Sequence, residues 1–267
     1  MGGSDGLYRD PRGALRYAAA GLQGHWVVFC HALGTSGALW AGQVAALQGA
    51  WRTLAFDLRG HGGSPPPADG DYSFAALAAD VVALMDHVGA RTASVVGISV
   101  GGEVAQVLAA TYPERVERLL LVSTACVTSP ERAALWTARI AEAEREGMAP
   151  AADAAARRWF TPEFQAAAPA TVEGWRAAVA RTTVCGYIGI ARTIQAMDLR
   201  PAIRAIACPT RILVGDRDPA TGPAVGQEIA AAIPGATLRV IEGAGHLWNL
   251  ERADRFNDEL RAWLRDD

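Results

Sequence analysis

Hydrophobic positions along the chain fall into two kinds of run. Short unbroken apolar stretches, rich in β-branched residues, recur at 25–30, 51–56, 93–98, 119–123, 210–214 and 237–241. That is the pattern of strands buried on both faces. A weaker alternation at 14–18 reads as an outer strand. Between these runs lie stretches with apolar residues at helical spacing, at 40–47, 74–88, 101–109, 224–233 and 251–264. In the 74–88 stretch Ala75, Leu77, Val81, Val82, Leu84 and Met85 supply a broad apolar face. Strands alternating with amphipathic helices predict an α/β fold, a mostly parallel twisted sheet with helices on both faces.

From 127 to 197 the pattern changes. This stretch is Ala-rich and helical, is interrupted by Pro130, Pro150, Pro162 and Pro169, and contains no strand pattern. It holds Trp136, Trp159 and Trp175, three of the chain's eight tryptophans. Inserted between two strands, it predicts a helical cap over the strand ends, where open α/β sheets hold their ligand crevice. The expected division is a core over 1–126 and 198–267 with a helical cap over 127–197.

Composition narrows the chemistry. With 267 residues, 51% hydrophobic and 20% charged, the chain has a globular balance and enough length for one large core. A formal net charge of -3 gives no electrostatic reason for nucleic acid or an anionic membrane as partner. All 25 basic residues are arginines, so a Schiff-base lysine and a Walker-type phosphate loop are excluded. The N-terminus lacks the apolar core of a signal peptide, and no stretch reaches the length of a membrane span. Cys30, Cys126, Cys185 and Cys208 lack metal or redox spacing and read as buried free thiols, which makes a reducing cytoplasm the expected compartment.

The stretch Gly97-Ile98-Ser99-Val100-Gly101 joins a buried strand to a helix start with only two residues between. Gly97 and Gly101 carry no Cβ, so strand and helix can close on each other and push Ser99 out at the apex. Glu103 falls in the first helical turn, where the helix dipole favours an acid. Serine needs a base to remove its proton during attack. Of the five histidines, His246 lies in a Gly-rich loop after the last strand, whereas His25, His61 and His87 have adequate structural roles. A carboxylate must hold the other ring nitrogen. Asp218 follows the penultimate strand and is preferred over Asp216 because it lies beyond the strand end. The order Ser99, Asp218, His246 is that of a nucleophile-elbow hydrolase. Backbone N–H groups of Leu33, after the second strand, and Val100 are the expected oxyanion donors. Asp57, Arg59 and His61 read as a structural cluster that holds their loop beside the nucleophile turn.

With these residues in place the chain resembles the α/β-hydrolase superfamily over nearly its whole length. Within it the chain is similar to the 3-oxoadipate enol-lactonase group, which hydrolyses an enol-lactone in aromatic-compound degradation. The matching words are Leu33-Gly34-Thr35, Asp57-x-Arg59-Gly60-His61-Gly62, Pro113-Glu114-Arg115-Val116, Arg158-Trp159-Phe160-Thr161, Asp198-Leu199-Arg200-Pro201, Asp218-Pro219-Ala220-Thr221 and Asn249-x-Glu251. The resemblance implies a serine hydrolase working through an acyl-enzyme on a small lactone or ester, without cofactor or metal. Its substrate-binding set would be Trp136, placed over the substrate, with Trp159, Trp248, His31 and Arg139. His31-Ala32 replaces the family's usual Asn-Ser, Ile98 and Val100 replace Leu and Met, and Trp248 replaces a small residue; all are expected to border the pocket. Arg139, Arg158 and Arg192 are the cap arginines that could pair with a substrate carboxylate, the alternative being solvated helix positions. Perhydrolysis or carbon–carbon bond hydrolysis on the same triad, or a ligand receptor with little turnover, are the competing readings. The expected partner is the small-molecule substrate alone, with self-association into a homodimer left open.

Overall fold

The computed structural model describes residues 3–265. In chain order its elements are β1 (Gly3–Asp10), β2 (Gly13–Ala20), β3 (Trp26–Cys30), α1 (Ala41–Leu47), β4 (Arg52–Phe56), α2 (Phe74–His87), β5 (Ala93–Ile98), α3 (Val100–Thr111), β6 (Val116–Val122), α4 (Pro130–Glu146), α5 (Ala149–Trp159), α6 (Pro162–Ala167), α7 (Pro169–Ala180), α8 (Val184–Gln195), α9 (Arg200–Ile203), β7 (Thr210–Gly215), α10 (Pro223–Ala232), β8 (Thr237–Ile241), α11 (Trp248–Glu251) and α12 (Ala253–Arg265). One sheet takes all eight strands in the order β1-β2-β4-β3-β5-β6-β7-β8. Strands β3 to β8 pair in parallel, and β1 and β2 run antiparallel at one edge. In the central strands β3 and β5 every residue is buried, as continuous apolar runs require.

β1 has no counterpart in the periodicity. Its sequence carries only Leu7 and Tyr8 as large apolar residues, and it becomes a strand through its full-length register with β2, from Gly3↔Ala20 to Asp10↔Gly13. An ion cluster fixes this edge to the sheet. The Arg59 side chain is fully buried and donates to both oxygens of Asp80 on α2 (2.8 Å each) and to Asp10 at the end of β1 (2.9 Å). Asp57 instead accepts from Gly37 and Gly63 N–H groups (2.7 and 2.8 Å), so it closes its own loop. His87 ends α2 as expected, and its ring also packs against Tyr8 and Tyr17, with Nε2 3.0 Å from the Tyr17 hydroxyl.

Helices α4 to α8 form an insertion between β6 and β7. Its two ends are tied together by the antiparallel bridge Val127↔Asp198 and by Thr128 N–H to Met197 C=O (2.9 Å) and Leu199 N–H to Cys126 C=O (2.7 Å). Ser129, Thr161 and Thr183 each precede a helix and accept its third N–H, which sets where α4, α6 and α8 begin.

Candidate active site

β5 delivers Ser99 into a conformation that L-residues avoid, with φ 54° and ψ -126°. The glycines explain how it is reached. A Cβ on Gly97 would sit 2.3 Å from the Gly101 carbonyl oxygen, and one on Gly101 would sit 2.2 Å from that of Cys30. Only their absence lets the start of α3 press against both its own strand and the end of β3. Ser99 N–H donates to Val122 C=O (3.0 Å), and its carbonyl accepts from Thr124 Oγ1 (2.7 Å). The backbone of the turn is therefore held on β6 while the side chain faces the pocket.

His246 lies across the same pocket, 4% exposed, with Nδ1 2.7 Å from Asp218 Oδ2. That contact makes Nδ1 the protonated nitrogen and leaves Nε2 for proton transfer. Asp218 is itself fixed. Ala220 and Thr221 N–H groups donate to its Oδ1 (2.8 and 3.1 Å), and Thr221 Oγ1 donates to its Oδ2 (2.6 Å). Burial alone would raise this carboxyl, but the His246 charge and these donors outweigh it and hold it at about 2. The loop around His246 is clamped by the cap. Trp159 C=O accepts from His246 and Leu247 N–H groups, and Glu251 accepts from Gly245 N–H (2.8 Å) on one oxygen and from Thr161 N–H (2.9 Å) and Oγ1 on the other.

The pocket encloses about 200 Å³ between the strand ends and the cap. Leu33, Ser99 and His246 form its floor; Trp136, Arg139, Trp159 and Tyr187 come from the cap. Gly34, at φ 78°, lets the Leu33 loop pass under α7, where a Cβ would meet Val179 at 3.1 Å. Leu33 and Val100 N–H groups donate to no protein acceptor among the described residues, as the second of these must at the first position of a helix. Arg139 lies over Trp136, its guanidinium 4.8 Å from the ring centroid. Burial, then the neighbouring Arg139 charge, lowers Arg158 to about 10, so it stays cationic at neutral pH.

Several expectations need correction. His31 is fully buried and does not line the pocket: its Nδ1 faces Ala32 C=O (2.8 Å) and its Nε2 accepts from Leu58 N–H (2.8 Å), joining two loops. Trp248 is also fully buried, 4.6 Å from the Phe256 ring on α12, because α11 turns it into the core. Arg192 is exposed and pairs with Glu144 (2.8 Å) outside the pocket, whereas Arg139 and Arg158 line it instead of being solvated. Asp216 accepts from Gly243 N–H (2.7 Å) and is not the partner of His246. Of the cysteines, Cys185 is exposed on α8 and Cys208 half-exposed, so only Cys30 and Cys126 are buried. Glu103, read as a dipole partner, is 5% exposed and lines the pocket, as does Arg132. Neither carried a functional signal in the sequence, because the cap alone decides what covers them. Thr221 had no role assigned from the sequence, although Asp-x-x-Thr after a strand is the spacing of a carboxylate accepting from its own following turn.

An eight-stranded, mostly parallel sheet with a serine on a strained strand-to-helix turn is the architecture of the α/β-hydrolases. A family profile described as the alpha/beta hydrolase fold matches residues 25–253, and the chain belongs to that family. It is 35% identical to 3-oxoadipate enol-lactonase 2 of Acinetobacter baylyi, over 94% of this chain and 93% of that one. Among solved structures it is similar to the enol-lactonase from Burkholderia xenovorans LB400, with a TM-score of 0.89 and 37% identity, covering 95% of this chain and 97% of the other. A hydrolase from Pseudomonas aeruginosa PA01 superposes with a TM-score of 0.91 at 33% identity, over 98% of each chain. Among the described residues no helix is long and apolar enough to cross a membrane, and no group of three or more His, Cys, Asp and Glu is placed to hold a metal ion.

Proposed function

We propose that the chain is a serine hydrolase that opens a small carboxylated enol-lactone, or a related lactone or ester, through an acyl-enzyme at Ser99. One observation carries the reading: the Asp218-bound imidazole of His246 shares a pocket with a serine held at φ 54°. In this mechanism His246 Nε2 takes the Ser99 proton as Oγ attacks the lactone carbonyl. The carbonyl π pair moves to oxygen, and the oxyanion is met by Leu33 and Val100 N–H groups. Collapse breaks the ring C–O bond, and His246 returns its proton to the departing enol oxygen. Water, deprotonated by the same imidazole, then releases the acyl group as an acid and restores Ser99. Arg139 and Arg158 supply the cationic wall for the substrate carboxylate.

The enol-lactonase relatives at 35% and 37% identity support the choice of substrate class. The test is turnover of a panel of enol-lactones, simple lactones and neutral esters by the wild type and by Ser99→Ala, with labelling by a fluorophosphonate. Loss of both turnover and label in Ser99→Ala is the expected result. Failure of the wild type to take the label overturns the mechanism. Labelling with no turnover of any enol-lactone overturns the substrate assignment.

A further inference from the structure

Glu103 is the only carboxylic acid lining the pocket among the described residues, and hydrolysis of the lactone leaves it without a task. It stands one turn of α3 beyond Ser99, its N–H donating to Ser99 C=O (3.3 Å), and both residues line the same space of about 200 Å³. The side chain is 5% exposed, and its Oε2 is sealed from solvent without a hydrogen-bond partner. A buried carboxyl left so destabilises the fold, and an apolar residue would fill the same helical position without that penalty.

Ring opening of an enol-lactone creates the need for a second acid. The leaving oxygen stays on the acyl chain, so the chain tethered to Ser99 is an enol, and it becomes a ketone only when its carbon gains a proton. In a five-membered ring that carbon lies two bonds from the ester carbonyl carbon, hence close to the Ser99 oxygen that holds the chain. His246 does not supply this proton. It has given its own to the enol oxygen, and it must stay neutral to deprotonate the water that releases the acyl group. Among the other groups lining the pocket, the arginines hold their protons too tightly, and burial raises the Tyr187 phenol above its ordinary value, which makes it a weaker acid still. That leaves Glu103.

We propose that Glu103 is the acid that converts the tethered enol into a ketone, so that the protein carries out an enol–keto tautomerisation as well as a hydrolysis. This rests on the reading of Ser99 as the nucleophile and of the substrate as an enol-lactone. The O–H bond of the Glu103 carboxyl breaks, and its proton joins the enol carbon, the new C–H bond taking the C=C π pair. The enol O–H bond breaks, its pair becomes the C=O π bond, and its proton passes to water. Glu103 regains a proton from water. The net change is one proton onto carbon and one off oxygen. Burial, opposed by Arg132, pushes the Glu103 carboxyl up to about 8, so near neutral pH it holds a proton and is acidic enough to give it. Because the carboxyl is fixed on α3 and the chain on Ser99, the proton reaches one face of the enol.

The experiment uses 4,5-dimethyl-2(3H)-furanone, whose opening and ketonisation create a stereocentre in 3-methyl-4-oxopentanoate. Chiral chromatography reads the enantiomeric excess of that acid, and titration reads acid release, each corrected for the enzyme-free reaction. Wild type should give an excess of one enantiomer. Glu103→Gln should lose it, because its enol is released and ketonises in solution, where both faces are equivalent. The excess is read per molecule of product, so slow turnover or a small folded fraction does not imitate this loss. A racemic product from wild type overturns the proposal without any variant, and so does an excess retained in Glu103→Gln. In both cases acid release that disappears in Ser99→Ala leaves the hydrolase reading standing. Any other enol-lactone that the wild type opens gives the same readout in D2O, as the configuration of the CHD carbon formed. If the wild type opens no enol-lactone, the substrate reading falls and the proposal falls with it.

Discussion

The backbone carbonyl of Trp159, the last residue of α5, accepts hydrogen bonds from the N–H groups of His246 (3.0 Å) and Leu247 (3.1 Å). The cap thus holds the loop that carries the imidazole. Glu251 completes the clamp by accepting from Gly245 on the core side and Thr161 on the cap side. Because both its oxygens accept from N–H groups, an amide cannot replace it without facing one donor with another. Glu251→Gln and Glu251→Ala are therefore both expected to lower kcat, by about 10- to 100-fold, with a smaller change in KM. Unfolding midpoints should fall as well, since orphaned buried donors cost about 1–3 kcal/mol each. Steady-state kinetics and urea melts of the two variants check this; wild-type kcat in Glu251→Gln would refute the clamp.

Asp218 fixes the tautomer of His246, with Thr221 Oγ1 2.6 Å from the same Oδ2 and 3.2 Å from Nδ1. Asp218→Asn keeps the shape and offers Nδ1 a donor or a weaker acceptor. The expected loss in kcat is about 10³- to 10⁴-fold with little change in KM or in circular dichroism. Thr221→Val, which removes one supporting donor, should lose far less. A loss in Asp218→Asn smaller than that in Thr221→Val would show that the carboxylate does not orient the base.

Arg139 and Arg158 are cap cations that line the pocket and form the wall proposed for the substrate carboxylate. Replacing Arg158 by Met should raise KM for a carboxylated lactone by about 10- to 100-fold, the worth of a charge-assisted hydrogen bond in a partly buried site. The rise for a neutral ester should be several-fold smaller. The ratio of KM values for a charged and an uncharged substrate is the measurement, and an equal rise in both sinks the carboxylate role.

What the sequence revealed and what it hid divide along one physical line. The Ser99 turn was readable because its glycines, the strand before it and the helix after it are local features, and so was the Asp218 turn. His31, Trp248, Glu103 and Arg132 were misjudged or overlooked because their surroundings come from elsewhere in the chain. Leu58 N–H meets the His31 ring, Phe256 covers Trp248, and the cap encloses Glu103. Strand β1 escaped notice for a related reason, since its partner β2 and the buried Arg59 beside Asp10 make it a strand, not its own alternation. A periodicity reports which face of an element is apolar. It does not report which residue from a distant helix arrives there.

The His31 ring gives the last prediction, a pH dependence of stability. Its Nδ1 bonds Ala32 C=O and its Nε2 accepts from Leu58 N–H, so only the neutral ring satisfies both loops. Burial lowers His31 to about 4, and burial together with the nearby His31 lowers His61, 5.7 Å away between ring centroids, to about 3. Both folded values lie below the unfolded histidine value of about 6.5, so the unfolded chain binds more protons and stability falls as pH drops from 6.5 toward 4. Between pH 7 and 5 the two rings together should remove about 4 kcal/mol, half of it from His31. In His31→Asn, which keeps a donor and an acceptor but does not titrate, about half of that loss should remain. Urea unfolding at pH 7, 6 and 5 measures both slopes, and equal slopes would rule out His31 as the titrating group. Since His31 opens the loop that carries Leu33, the same proton should also loosen an oxyanion donor. Activity in acid should then recover in His31→Asn along with stability.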